Sequence, residues 1–135
     1  MLLNPDMLPK VALNQMNSIH DTEVEILNEL YRAAKEGNLE EVEKLFEEFL
    51  KDVKEHFSYE QGLMEKHNFF AYPMHRGEHD RVLMELENLK KSYEETKDPS
   101  LIVKYLENQF VPWLLNHVQT MDTVTAMYLS NYVKE

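Results

Sequence analysis

The chain contains no cysteine, which removes disulfides, thiolate metal sites and thiol nucleophiles together. Any metal must be held by His, Asp or Glu. Glycine and proline are scarce, 3 and 5 in 135 residues, so few positions suit the tight turns of a hairpin-rich sheet. Basic residues are outnumbered as well: 14 Lys and Arg stand against 25 Asp and Glu, a formal net charge of -11. Nucleic-acid affinity rests on clustered cations, so the balance points away from DNA, RNA and anionic membranes. No run approaches the roughly 18 consecutive apolar residues of a membrane span. The segment MLLNPDMLPKVAL places Pro and Asp where a secretory leader has an unbroken apolar core. A soluble, cytoplasmic protein is expected.

What is abundant is Glu, Leu, Lys and Met, all good helix formers. Apolar spacing predicts an all-α fold with helices from about Asn17 to Glu36, from Leu39 to Lys66, from Pro73 to Thr96, and from Asp98-Pro99 towards Tyr132. Gly37 suits a left-handed C-terminal cap, and Pro73 and Pro99 suit first helical turns. Pro112 should kink or interrupt the fourth helix just before Trp113. Short connections make an antiparallel up-down-up-down four-helix bundle the economical packing. We expect one bundle domain over 17–135, preceded by an extended N-terminal arm over 1–16.

Every inward stripe contains ionisable residues. The first helix carries His20, Glu23, Leu27, Leu30 and Ala34, and the second Val42, Phe46, Phe49, Val53, His56, Glu60 and Met64. The third carries His75, His79, Val82, Leu86, Leu89 and Tyr93, and the fourth Leu106, Phe110, Trp113, His117 and Met121. Burying such groups without partners costs several kcal/mol each. A metal satisfies many at once, taking a lone pair from each ring while the second ring nitrogen donates to a further acceptor. His75 and His79 are four apart, as are His56 and Glu60, so each pair projects from one face. His117 and Asp122 are five apart, which an ideal helix separates by about 140°. Either Asp122 reaches sideways as a bridging carboxylate, or the helix is distorted there. Seven ligands are too many for tetrahedral zinc and too rich in nitrogen for calcium or magnesium, whereas imidazole with carboxylate suits iron or manganese.

His20, the run His56-Phe57-Ser58-Tyr59-Glu60, the pair His75 and His79, and Trp113 with His117 and Asp122 resemble the hemerythrin family over nearly the whole chain. The resemblance implies two iron ions: one held by His75, His79 and His117, the other by His20 and His56. Glu60 and Asp122 would bridge them beside an oxo or hydroxo group. The ion at His20 and His56 would keep an open position for molecular oxygen, lined by Phe57, Trp113, Leu114 and Val118. Oxygen carriage, storage or delivery follows, with a reductase or an oxygen-consuming enzyme as expected partner. Glu23 departs from the apolar residue expected there. It is expected to face the open position, as a ligand or a proton donor that moves the chemistry towards an oxidase or peroxidase or makes the site sensitive to pH; a salt-bridged residue at the core edge is the other reading.

Other readings have recognisable signatures. A diiron enzyme of the ferritin-like kind shows Glu-x-x-His pairs, and no His here has Glu three residues before it. The HExxH motif of zinc proteases is absent too. An oxidase, peroxidase or nitric-oxide-handling protein on the hemerythrin scaffold, an iron store and an oxygen sensor stay open on sequence alone, as does a metal-free core of hydrogen-bonded polar groups. His67, beside a loop, is read as a non-ligand. The Glu- and Lys-rich tracts are read as solvated helix faces.

Overall fold

A computed structural model describes residues 1–135, whose regular elements are all helices with no strand. The four apolar stripes become the inward faces of four rods. The first, α1, spans Asn14–Glu36. It begins three residues before the spacing predicts, because Glu135 reaches back across the fold. Its carboxylate accepts from the Asn14 and Gln15 N–H groups at 2.7 and 2.8 Å, the service an N-cap side chain normally performs. α1 ends at Gly37, φ 73°, where Gly37 N–H and Asn38 N–H bond Ala34 and Ala33 carbonyls in a Schellman arrangement. Asn38 then caps α2, Leu39–Lys66, its Oδ1 accepting from Glu41 N–H. The third rod, α3, spans Tyr72–Thr96 with Pro73 in its first turn. Connections this short leave each helix antiparallel to its predecessor. α1 packs on α2, α2 on α3, and the fourth rod closes the ring against α3 and α1.

That fourth rod, α4, is continuous but not uniform. It runs as α-helix over Ser100–Tyr105, a π-helical turn over Leu106–Phe110, α-helix over Val111–His117, a second π turn over Val118–Asp122, and α-helix over Thr123–Leu129. Asp98 supports its start, its Oδ1 accepting from Ser100 N–H. The interruption expected at Pro112 takes the form of the first π turn. Val111 N–H bonds the Leu106 carbonyl five residues back, and the wider turn makes room for a proline ring that would crowd a regular α-helical ladder.

The second π turn has its own local support. Thr123 Oγ1 donates to the Val118 carbonyl at 2.7 Å, and Thr120 Oγ1 to that of Asn116 at 2.7 Å. The extra residue moves everything downstream by one position, so Asp122 turns inward. Met121, expected to face the core, is displaced to half-buried.

The chain ahead of α1 lies along the bundle. It makes a short 3-10 turn at Pro5–Met7 and buries Leu3, Leu8, Val11 and Leu13 against the bundle. Two side-chain amides clamp its backbone: Asn28 exchanges hydrogen bonds with Leu3, and Asn17 with Val11.

Candidate metal centre

Each rod sends chemistry to one level of the core. α1 contributes His20, α2 His56 and Glu60, α3 His75 and His79, α4 His117 and Asp122, and none of the seven is more than 2% exposed. Their ligand atoms fall into two overlapping groups with all atoms of a group within 4.8 Å of one another. One group is Glu60, His75, His79, His117 and Asp122; the other is His20, His56, Glu60 and Asp122. The two carboxylates belong to both. Each divides its oxygens between them. Glu60 Oε1 lies 3.4 Å from His75 Nε2 and from His79 Nε2, while Glu60 Oε2 lies 2.7 Å from His56 Nε2. Asp122 Oδ1 lies 3.1 Å from His75 Nε2 and 3.2 Å from His117 Nε2, while Oδ2 lies 3.1 Å from His20 Nε2.

The π turn over Val118–Asp122 makes this possible. It brings His117 and Asp122 onto one face and decides between the two alternatives open on sequence: the helix is distorted.

Hydrogen bonding alone leaves the cluster unsatisfied. Glu60 Oε1, Asp122 Oδ1 and His79 Nε2 are buried without a hydrogen-bond partner, and His75 Nε2 and His117 Nε2 face each other at 3.0 Å. Converging lone pairs of this kind fit a cation. Three of the five outer ring nitrogens are held from behind: His79 Nδ1 donates to Gln61 Oε1 at 3.0 Å, His56 Nδ1 to Glu23 Oε1 at 3.0 Å, and His75 Nδ1 meets Thr125 Oγ1 at 2.8 Å, while His20 Nδ1 is buried without a partner. Donation at Nδ1 leaves Nε2 free to coordinate. Stacking fixes two rings further, Phe57 on His79 at 3.8 Å and Trp113 on His117 at 4.4 Å, with Trp113 Nε1 donating to Glu78. Leu114 and Val118 are buried on the same stretch of α4. His67 stands apart, capping α2 and stacking on Tyr132.

Electrostatics in the metal-free state follow from burial opposed by close charges. Burial works against a charged His56, yet Glu23 and Glu60 on either side hold its pKa well above the ordinary value. His75 is also opposed by burial but is raised to about 9 by Asp122 and Glu60. For His79 burial wins and lowers the pKa. The Glu60 carboxyl is pulled well below its usual range against burial by His56, His75 and His79, and Asp122 is pulled down by His117, His20 and His75. At His56 and His75 a proton therefore holds a place that a cation would take.

Glu23 does not join either ligand group; its carboxylate sits behind His56, on the Nδ1 side, and not against Glu60 or Asp122. One turn from His20 on α1, it faces α2, where the His56 N–H offers the hydrogen bond that a buried carboxylate requires. Two further residues carry no signal in ligand spacing. Thr125 reaches His75 only because the π turn rotates it inward, and Gln61, next to Glu60, reads as a helix surface position.

Residues 11–129 match the hemerythrin HHE cation binding domain. The chain belongs to the hemerythrin family. It is 36% identical over 131 residues to the bacteriohemerythrin of Aquifex aeolicus, covering 97% of this chain and 100% of that protein. It is 27% identical over 116 residues to the bacteriohemerythrin of Methylococcus capsulatus, covering 82% of this chain and 83% of the relative. Hemerythrin membership and the paired, nitrogen-rich donor groups agree on cation binding inside the bundle. No helix is long and apolar enough to cross a membrane.

Proposed function

We propose that this hemerythrin-family chain is a non-heme diiron protein that binds molecular oxygen reversibly, for carriage, storage or delivery. The observation that carries the reading is the sharing of Glu60 and Asp122 between two donor groups, each carboxylate turning one oxygen to each group. Two cations joined by two carboxylates suit that arrangement, with an oxo or hydroxo group completing the bridge. His75, His79 and His117 would hold one iron, and His20 and His56 the other. Bound there, the pair supplies the electrons on which oxygen binding draws.

The two-histidine group offers one nitrogen fewer, so an ion held there would have a place left for oxygen. The protein's own part is to orient the rings through Glu23, Gln61 and Thr125, and to keep water out with buried Phe57, Leu114 and Val118 and the half-buried Trp113. No Arg or Lys forms an ion pair with any of the seven. The pairing of imidazole with carboxylate without thiolate suits iron. With Glu23 turned behind His56, no free acid stands among the donor groups to drive turnover, which favours binding over an oxidase or peroxidase.

The test is reconstitution with ferrous iron under argon. We expect two iron ions per chain and visible absorption that appears with air and reverses on purging. Glu60→Gln or Asp122→Asn should lose the second ion while keeping helical circular dichroism. A colourless protein that retains no iron defeats the proposal, and steady consumption of oxygen with a reductant would assign an enzyme instead.

A further inference from the structure

The oxygens standing behind the histidine rings differ in charge. His75 and His79, both of the three-histidine group, rest on a hydroxyl and an amide oxygen, which are neutral. His56, of the two-histidine group, rests on a carboxylate.

Glu23 is 1% exposed, its only ion-pair partner is His56, and its second oxygen makes no hydrogen bond. Such burial costs several kcal/mol unless a partner repays it, and the apolar stripe of α1 would be continued as well by a leucine. The charge is therefore aimed at one ring. A carboxylate accepting from Nδ1–H draws that proton towards itself and gives the imidazole part of the character of its anion. The other nitrogen, Nε2, becomes the stronger donor to a cation. The group that has two nitrogens in place of three is the one that carries this device.

Resting on the diiron reading, we infer that Glu23 is a positioning residue that strengthens His56 as a ligand, so that the two-histidine position holds its ion more tightly and in a higher oxidation state than a neutral partner would allow. Glu23 touches neither ion in this assignment; it acts through His56. The asymmetry also separates the two positions chemically. A ferrous ion at His20 and His56 loses one electron more readily than the same donor count without Glu23 would permit.

The experiment uses the full chain. Cobalt(II) is titrated into metal-free protein and followed by its visible bands, and the midpoint potentials of the iron-loaded protein are read by mediated spectroelectrochemistry. Glu23→Gln keeps an acceptor oxygen and removes the charge; Glu23→Leu removes both. Gln61→Leu serves as the opposite control, acting behind His79. Glu23→Gln should weaken one of the two cobalt constants by roughly tenfold or more, leave the other within about twofold, and raise one midpoint potential. Glu23→Leu should do at least as much to the same constant, and Gln61→Leu should act on the other. Unchanged constants and potentials in Glu23→Gln overturn the inference, and so does equal weakening of both constants, which would mark a structural role. A wild-type chain that binds fewer than two cobalt ions overturns the diiron reading itself.

Discussion

His75 shows how a single residue can report on the state of the site. Without metal its pKa is raised from 6.5 to about 9, because Asp122 and Glu60 outweigh burial. A raised folded-state value stabilises the fold when the ring is protonated, so the contribution is complete below the unfolded value and is lost as pH rises through about 9. The difference corresponds to about 3 kcal/mol. Urea midpoints of the metal-free protein should therefore fall between pH 6.5 and 9. His75→Gln should flatten that part of the curve, and an unaltered slope would remove His75 from the account. In the iron-loaded protein Nε2 holds an ion in place of a proton, and the same slope should vanish. Metal loading should release protons, which a weakly buffered titration detects.

At the scale of the element, helix ends and irregular turns carry the local specificity. Gly37 sits at φ 73° with nothing within 4 Å of an added Cβ, so Gly37→Ala meets no clash and pays only for the left-handed backbone, about 1 kcal/mol of lost stability. Gly62 lies exposed within α2, also with nothing within 4 Å, and Gly62→Ala should stabilise by about 0.5–1 kcal/mol. Opposite signs from one chemical change would be read directly from two denaturation curves; equal signs would contradict the assigned conformations. In α4, Thr123→Val removes the hydroxyl that donates to the Val118 carbonyl. A loss of about 1 kcal/mol is expected, with a weaker grip on metal because the turn that aims Asp122 is less supported. Stability equal to the wild type would show that the π turn stands without Thr123.

For the whole molecule, the site is the point where all four rods meet. Each contributes at least one ligand candidate, so a bound cation ties together segments separated by up to 102 residues, as between His20 and Asp122. Binding to the folded state alone stabilises it by about 4 kcal/mol when metal stands a thousandfold above its dissociation constant. For a chain of 135 residues this is a change in Tm on the order of 10 °C. Scanning calorimetry with and without an iron chelator should show it, with an identical Tm in both refuting a structural role for the ions.

The period of 3.6 residues was sufficient to read the all-α bundle and the inward direction of His20, His56, Glu60, His75, His79 and His117, because burial of an apolar stripe dictates what else lies on it. Gly37 and Pro73 marked helix ends through their own backbone preferences. Other features depended on distant partners. Asp122 turns inward through a π turn whose widened ladder no period describes, and that turn displaced Met121 from the core. Glu23 was legible as buried, but its partner was not, since its direction is set by the His56 N–H on another helix. The early start of α1 depends on Glu135, more than a hundred residues away. Local periodicity therefore determined which faces are buried, while the packing of four helices decided which atom meets which, because a hydrogen bond or a shared carboxylate requires a partner that only the assembled core brings within reach.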